Sequence, residues 1–314
     1  MSARRVTVRA PAKVNLSLAV LGRRPDGYHE LDSVMMALEL GDVLTAEARG
    51  AECTLSLLGP AAAGVPEGGT NLALRGALVV RALAERQGLA PGGVHLTLEK
   101  HVPAQAGLGG GSSDAAAAAL ACAELWGLDP DTPEILAGLA GLGSDCAFFL
   151  AARASGLARC TGRGDEVEPL PPLSLPWSLA LVTPPFGCST AAVYGALAPS
   201  APGEPRRPLD LQALGAGPLE TARRELVNEL ESAAERAHPE LAGFRAYLEM
   251  LAPGAFRLAG SGSSCFGFFA DEASARGVLE RVGDAHRGRR YALRGRWVMP
   301  ARSRGLELVA STPH

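Results

Sequence analysis

A glycine-rich segment at residues 103–114 is the part of the chain best suited to bind an anion. Its sequence is PAQAGLGGGSSD, and an alanine-rich stretch that is predicted to be helical, Ala115 to Trp126, follows it directly. Glycine N–H groups can turn toward a phosphate because no Cβ obstructs them, and the start of a helix adds unpaired amide donors and the positive end of its dipole. The segment therefore predicts a phosphate-binding loop.

The spacing of this loop matches neither of the two common phosphate-binding patterns. The dinucleotide pattern G-x-G-x-x-G breaks at Ser112, and the Walker pattern requires a lysine where this chain has serine and aspartate. A flexible turn is the alternative, but a turn needs one or two glycines, whereas residues 107–111 include four. Residues 94–100 alternate apolar and polar side chains, which predicts a strand before the loop.

Lysine is rare in this chain. Of the 30 lysine and arginine residues, only Lys13 and Lys100 are lysines. A lysine ammonium is a compact point charge, whereas an arginine guanidinium is a planar fork, so the two residues are not interchangeable where geometry matters. Both lysines are therefore candidates for chemistry, and chance retention is the alternative for either one taken alone.

Length and composition indicate a globular protein with two domains. The chain has 314 residues, of which 47% are hydrophobic and 20% are charged. A chain of this length exceeds the usual size of a single core, so we expect a first domain at residues 1–155 and a second at residues 156–314. Predicted strands and helices are mixed without a regular βαβ repeat, which favours the α+β class over a doubly wound sheet.

Turn residues divide the chain into predicted elements. Strands are predicted at Val6–Arg9, Val14–Leu21, Ser33–Leu38, Val43–Ala48, Cys53–Leu58, Trp177–Thr183, Phe266–Ala270 and near Trp297. Helices are predicted at Asn71–Gly88, from Thr132, near Pro218–Ala237, at Pro239–Leu251 and from about Glu272, and Pro202–Pro208 is expected to be an exposed loop.

Charge, cysteine usage and hydropathy exclude several kinds of partner. The net charge of −3 argues against nucleic acid, and the six cysteines include no C-x-x-C pair that would indicate a metal site or a disulfide framework. No apolar stretch is long enough for a membrane span or signal segment, which predicts a cytoplasmic protein without a membrane partner. We expect a monomer or a weak homodimer. A basic C-terminal cluster, expected to be solvated, comprises Arg287, Arg289, Arg290, Arg294, Arg296, Arg302 and Arg304.

Three separated segments together resemble the GHMP kinases, a family of small-molecule kinases. They are PAKVNL at residues 11–16, the glycine loop at residues 107–114, and a Gly/Ser cluster at residues 260–264. The resemblance implies a two-domain α+β fold, with an N-terminal ribosomal-protein-S5-like domain that carries the loop and a C-terminal ferredoxin-like domain. It also implies ATP as the phosphate donor and Mg²⁺ as the metal.

Two further segments resemble one branch of that family. These are GRRPDGYHEL at residues 22–31 and GSDCAFF at residues 143–149. The branch phosphorylates the tertiary 2-hydroxyl of a sugar alcohol linked to cytidine diphosphate, so a small molecule with that group is the implied substrate. Alternatives are a GHMP kinase of the mevalonate or homoserine type, or an inactive nucleotide-binding regulator on the same scaffold.

The resemblance also implies roles for individual residues. Lys13 and Asp145 are the implied catalytic pair, although Asp145 alone would also suit a helix cap. The implied ATP-binding residues are Asn71, Pro103, Ala104, Gln105, Ala106, Gly107, Leu108, Gly109, Gly110, Gly111, Ser112 and Ser113. The implied substrate-binding residues are Asn15, Tyr28, His29, Thr190 and Tyr194, with Tyr194 facing Tyr28 across a cytosine ring and Phe186 as the competing choice.

Two positions near the loop leave questions open. The metal ligands are unknown, with Ser112 or Ser113 as the candidates to help hold Mg²⁺. The negative charge of Asp114 lies next to the expected phosphates, and it is tolerable only if the side chain points away from them or toward the metal.

Overall fold

The computed structural model describes residues 4–197, 209–283 and 291–311. The strands are β1 (Arg5–Arg23), β2 (His29–Ala48), β3 (Cys53–Leu58), β4 (Val94–Glu99), β5 (Leu157–Gly162), β6 (Glu166–Pro169), β7 (Ser174–Thr183), β8 (Val227–Asn228), β9 (Phe256–Leu258), β10 (Cys265–Phe269), β11 (Gly295–Arg302) and β12 (Glu307–Ser311). The helices are α1 (Leu72–Arg86), α2 (Gly110–Trp126), α3 (Pro133–Leu142), α4 (Ser144–Ala151), α5 (Thr190–Gly195), α6 (Leu211–Ala216), α7 (Leu219–Glu225), α8 (Glu231–Ala237), α9 (Pro239–Leu251) and α10 (Glu272–Gly283).

The larger sheet has the strand order β12-β1-β2-β4-β3, with β5 also paired to β2 and β8 to β1. The four strands predicted between residues 6 and 48 form only two long strands, β1 and β2. The two strands stay paired across the predicted breaks because their register shifts, for example between Pro11 and Lys13. Proline has no N–H for the ladder, and a bulge lets the strand continue past it. Beyond this bulge the side chains of Lys13 and Asn15 share one face of β1, while Val14 packs into an apolar core on the other.

Helix α2 is buried on nearly all sides. Its alanines pack with α1, α3, α4 and the larger sheet into one apolar cluster. Small side chains allow a close approach of α1, where a Cβ on Gly76 would lie 2.2 Å from the carbonyl oxygen of Ala115. The predicted limits of α1 are confirmed, because the Asn71 side chain caps its first turn and Gly88, with φ +76°, follows its end.

The smaller sheet has the order β11-β7-β10-β9, and its neighbouring strands are all antiparallel. Along the chain, helices lie between β7 and β9 and between β10 and β11, which is the β-α-β-β-α-β arrangement of a ferredoxin-like domain. The prediction of a two-domain α+β fold is confirmed. Among the described residues, no helix is long and apolar enough to cross a membrane.

One predicted helix, one predicted domain boundary and one predicted loop need comment. The helix expected at Pro218–Ala237 is interrupted, because Val227 and Asn228 pair in parallel with β1 and the Asn228 side chain donates to two buried carbonyls. The predicted domain limit at residue 155 stays a prediction, and strands β5 and β12 from beyond it join the larger sheet. The proline-rich loop at 202–208 lies outside the described residues.

Two glycine substitutions, one at the contact between α1 and α2 and one in α10, are predicted to have opposite effects on stability. Gly76→Ala forces a methyl group against the Ala115 carbonyl, so we expect a loss of about 1–3 kcal/mol in the free energy of unfolding. Gly277→Ala, in α10 with open space around it, is the matched control and is expected to gain about 0.5–1 kcal/mol. Urea unfolding measures both, and a Gly76→Ala protein as stable as the parent contradicts the packing.

Candidate active site

Backbone contacts bring the three family-like segments together. The N–H of Lys13 donates to the carbonyl of Leu108 (2.9 Å), and the N–H of Ser264 donates to the carbonyl of Ala106 (3.0 Å). Gly107 lies between them with φ +75°, and a Cβ there would lie 2.0 Å from the carbonyl oxygen of Ala259. Only glycine fits this position, so the loop is held between β1 and the Gly/Ser cluster.

These segments border a cleft of about 1390 Å³. Nearly all of the predicted site residues line it, namely Lys13, Asn15, Tyr28, His29, Asn71, Asp145, Thr190, Tyr194 and residues 103–112. Ser113 is the exception. Ser113 is fully buried and does not line the cleft. Its hydroxyl has no hydrogen-bond partner among the residues that the structure describes.

The phosphate loop leads into α2 earlier than the sequence predicts. The helix begins at Gly110 rather than Ala115, after Gly109 with φ +68°. The N–H groups of Gly110, Gly111 and Ser112 occupy the first turn, where an α-helix leaves amides without internal acceptors. Since these residues line the cleft, it contains a cluster of amide donors at the positive end of a helix.

Lys13 and Asp145 meet at the edge of this amide cluster. Lys13 Nζ lies 3.2 Å from Asp145 Oδ2, and the Lys13 side chain is 5% exposed while that of Asp145 is 27% exposed. Lys13 Nζ also donates to Asn15 Oδ1 (2.9 Å), and Asn15 Nδ2 donates to Ser33 Oγ (2.8 Å). This chain of hydrogen bonds holds the ammonium, and leaves part of the carboxylate open to the cleft.

The alternative role of Asp145 as a helix cap is wrong. Gly143 occupies the cap position of α4, and Asp145 lies inside the first turn with no capping bond from its side chain. A carboxylate in that turn is stabilised by the helix dipole. Its position therefore suits a carboxylate that faces the cleft.

The aromatic residues differ in part from the expected pairing. The ring of Tyr194 stacks on His29, with centroids 5.2 Å apart and an interplanar angle of 29°. Tyr28 is instead 55% exposed, and the Arg163 guanidinium lies 5.0 Å from its ring centroid. Phe186, the competing choice for the opposing ring, packs edge-on against the buried Phe244 with centroids 6.4 Å apart.

The environment of this stack shifts two pKa values. Burial, with a smaller contribution from the charge of Arg23, lowers the pKa of His29 below its ordinary value. Burial raises the pKa of the Tyr194 hydroxyl. Both side chains are therefore neutral near pH 7, and a neutral imidazole offers one donor and one acceptor to a ligand.

Two other predicted ligand-binding residues already have partners within the protein. Asn71 accepts a hydrogen bond from the N–H of Ala73 (2.8 Å) and donates to the carbonyl of Pro66 (2.7 Å). The hydroxyls of Thr190 and Ser261 lie 2.8 Å apart and link α5 to the Gly/Ser cluster. The predicted contacts of Asn71 with ATP and of Thr190 with the substrate stay predictions.

The oxygen ligands near the phosphate loop suit a metal that arrives with phosphates. Among the described residues, no group of three His, Cys, Asp or Glu side chains is arranged to hold an ion. Ser112 and Asp145 line the cleft beside the start of α2, as do Ser144 and Asp114, whose carboxylate is already paired with Lys100. Mg²⁺ often takes only one or two protein oxygens and keeps waters and substrate phosphates as its other ligands, so the residues present fit Mg²⁺.

Sequence reasoning missed Arg294. It is exposed, as expected for the basic cluster, but its guanidinium also donates to four oxygen atoms on three different loops. The acceptors are the carbonyls of Ala104, Pro184 and Phe186 and the hydroxyl of Ser263. Nothing local in the sequence distinguishes Arg294 from its neighbours, since all of its partners are distant along the chain. The cluster members Arg287, Arg289 and Arg290 lie outside the described residues.

Comparison with known families finds two matches along the chain. The family model described as GHMP kinases N terminal domain matches residues 71–153. The one described as GHMP kinases C terminal matches residues 210–287. The first match contains the phosphate loop and Asp145, and the second contains the Gly/Ser cluster.

Individual relatives cover nearly the whole chain. A protein of Cereibacter sphaeroides named 4-diphosphocytidyl-2-C-methyl-D-erythritol kinase is 41% identical over 305 residues, covering 94% of this chain and 98% of that protein. A protein of the same name from Pelotomaculum thermopropionicum is 40% identical over 281 residues, covering 88% of this chain and 93% of that protein.

Solved structures show the same fold. A crystal structure of 4-(cytidine 5'-diphospho)-2C-methyl-D-erythritol kinase matches with a TM-score of 0.71 and 34% identity, covering 95% of this chain and 100% of that one. Homoserine kinase from Cytophaga hutchinsonii matches with a TM-score of 0.68 and 16% identity, covering 97% of each chain. At that identity the second match shows a likeness of fold alone.

The different surroundings of Tyr194 and Phe186 predict different effects on binding of cytidine 5′-diphosphate. Tyr194→Ala removes a ring that lines the cleft, and stacking on a base is worth roughly 1–3 kcal/mol, so we expect the dissociation constant to rise about tenfold. Phe186→Leu keeps an apolar side chain against Phe244 and is expected to leave the dissociation constant unchanged. Calorimetric titration of both variants measures this. Equal weakening, or weakening in Phe186→Leu alone, contradicts the assignment of Tyr194.

Proposed function

The chain belongs to the GHMP kinase family, and we propose that it phosphorylates 4-diphosphocytidyl-2-C-methyl-D-erythritol. In the proposed reaction, ATP donates its γ-phosphate to the 2-hydroxyl of this substrate, which yields the 2-phosphate and ADP. This step belongs to the methylerythritol phosphate route of isoprenoid biosynthesis. Relatives at about 40% identity that carry this name support the proposal.

The single observation that supports phosphoryl transfer most strongly is the position of the Lys13–Asp145 pair. The carboxylate and the ammonium are 3.2 Å apart in the same cleft as the first-turn amides of α2. The amides supply donors for a triphosphate, and Asp145 supplies an acceptor for the proton of an attacking hydroxyl. The pair also argues against an inactive regulator, which has no need of a proton acceptor beside its nucleotide.

The chemistry limits what Asp145 does. Carboxylates of ordinary acidity have pKa values of about 4, whereas an alcohol lies near water at roughly 15.7, so the hydroxyl is not ionised before transfer. Asp145 instead orients the hydroxyl and accepts its proton late, as the bond to phosphorus forms in a loose transition state. Lys13 stabilises the negative charge of Asp145 and that of the incoming phosphoryl group. Positioning supplies most of the rate enhancement.

Mg²⁺ bound with ATP would neutralise part of the negative charge on the phosphates. The side chain with the best position to help hold it is Ser112, in the first turn of α2. Ser113 is a poor candidate because its hydroxyl is buried away from the cleft. Asp145 is a second candidate oxygen ligand in the same cleft.

The cytosine ring of the substrate is assigned to the neighbourhood of Tyr194. His29 lies on the Tyr194 ring in the structure, so a base that stacks there takes the place of the imidazole. The displaced imidazole, which is neutral near pH 7, then offers a donor and an acceptor to the polar edge of the base. Asn15, which contacts Lys13, is proposed to form a hydrogen bond with the sugar alcohol.

A cytoplasmic location and a monomeric or weakly dimeric state stay predictions.

Acceptor preference tests the proposed substrate. In an ADP-release assay, we expect kcat/KM for the cytidyl substrate to exceed that for mevalonate, homoserine or galactose by at least about 100-fold, because the base contributes roughly 1–3 kcal/mol from stacking and further hydrogen bonds add to it. ADP release without any acceptor is the background control. A preference for one of the other three acceptors contradicts the substrate assignment and leaves the family intact.

Removing either member of the catalytic pair is expected to reduce turnover. Asp145→Asn and Lys13→Ala should each lower kcat by at least about 100-fold, the general scale for a positioned proton acceptor or electrostatic group. Asp131→Asn is the matched control, since Asp131 pairs with Arg153 and does not line the cleft. Parent-like turnover in a folded Asp145→Asn or Lys13→Ala protein excludes that residue from the mechanism.

A further inference from the structure

A second buried ionic cluster lies beneath the phosphate loop, apart from the Lys13–Asp145 pair. It consists of Asp42, Lys100 and Asp114, whose exposed fractions are 0%, 2% and 2%. Lys100 Nζ donates to Asp114 Oδ2 (2.6 Å) and to Asp42 Oδ2. We call this group the loop-base cluster. It accounts for the second of the two lysines in the chain.

The loop-base cluster joins the two ends of the phosphate loop. Lys100 directly precedes residues 101–113, and Asp114 directly follows them. Asp42, from β2, accepts hydrogen bonds at Oδ1 from the N–H groups of His101 (2.5 Å) and Val102 (2.8 Å). Asp114 lies in α2, just beyond its first turn, so the end of the strand before the loop and the start of the helix after it are tied to one buried point on the larger sheet.

The main chain of Lys100 is also fixed. Its N–H donates to the carbonyl of Leu58 (2.8 Å), and its carbonyl accepts from the N–H of Ala61 (3.0 Å). Its ammonium lies close under the loop, because a Cβ on Gly110 would be 3.4 Å from Lys100 Nζ. A displacement of this side chain therefore acts directly on the first turn of α2.

Lys100 and Asp114 line the same cleft as the loop, but their charged groups are already paired with each other and with Asp42. The ammonium of Lys100 is engaged by two carboxylates, and Asp114 Oδ1 is buried without a hydrogen-bond partner in the part of the chain that the structure describes. Burial raises the pKa of Asp114. The side chain of Asp114 points toward Lys100 rather than into the amide cluster. An acidic residue is tolerated beside the loop because its charge is paired with that lysine.

We propose that Asp114 is a positioning residue that, through Lys100, fixes the two ends of the phosphate loop and so orders the amide donors before ATP binds. This inference rests on the proposed binding of ATP by the loop. A loop that is ordered in advance loses less conformational freedom on binding, so the nucleotide binds more tightly. Loss of the Asp114–Lys100 ion pair therefore weakens nucleotide binding. It leaves the affinity of the cleft for the cytidine group unchanged.

Two substitutions of Asp114 separate positioning from general stability. Asp114→Ala removes the acceptor for Lys100, so the phosphate loop must become ordered when the nucleotide binds. We therefore expect the dissociation constant of Mg·AMP-PNP to rise at least about tenfold. Asp114→Asn keeps an oxygen acceptor of the same shape for Lys100 Nζ, and we expect a value within about threefold of the parent. Calorimetric titration of the full chain with Mg·AMP-PNP measures both. Cytidine 5′-diphosphate, titrated in parallel, should bind all three proteins equally.

Val278→Ala is the control for lost stability, because Val278 is a buried residue of α10 outside the cleft. It should lower the melting temperature without changing the Mg·AMP-PNP dissociation constant. If Asp114→Ala is insoluble, Asp114→Ser, whose hydroxyl is too short to reach Lys100 Nζ, carries the same expectation.

The inference is overturned if Asp114→Ala binds Mg·AMP-PNP like the parent. It is also overturned if Asp114→Asn is as weak as Asp114→Ala, or if both ligands weaken together. A parent protein that binds Mg·AMP-PNP but does not phosphorylate the cytidyl substrate contradicts the proposed function and leaves this inference standing.

Discussion

The ion pair between Lys13 and Asp145 is the interaction on which the site depends, because it joins two separate elements at one point. Lys13 comes from the bulged centre of β1, and Asp145 comes from the first turn of α4. The distance between them is set by the buried packing of α2 and α4 on the larger sheet. A change in that packing moves the carboxylate relative to both the ammonium and the phosphate loop.

The smaller sheet contributes to the same site through loops. Close backbone contact at Gly107 connects the phosphate loop to the Gly/Ser cluster, and the Arg294 side chain spans the outside of that contact. Asn228 holds the main chain around the cluster by donating to the carbonyls of Leu258 and Gly260. Both halves of the fold therefore shape one cleft, with amide donors on one side and the His29–Tyr194 stack farther along.

Local patterns in the sequence predicted the local features of this fold. Asn71 and Gly88 delimit α1 as expected, and the glycine loop precedes a helix as expected, since these features depend on near neighbours. The partner of Asp114 and the four acceptors of Arg294 come from distant parts of the chain, so composition and spacing carry no signal for them. The merging of four predicted strands into β1 and β2 has the same cause, because a bulge forms only against a partner strand.

A crystal structure with Mg·AMP-PNP and the cytidyl substrate bound together tests the central claim most directly. We predict the triphosphate on the amides at the start of α2, and the substrate 2-hydroxyl within hydrogen-bonding distance of Asp145 and facing the γ-phosphorus. A hydroxyl remote from Asp145, or a triphosphate bound away from the glycine loop, contradicts the account.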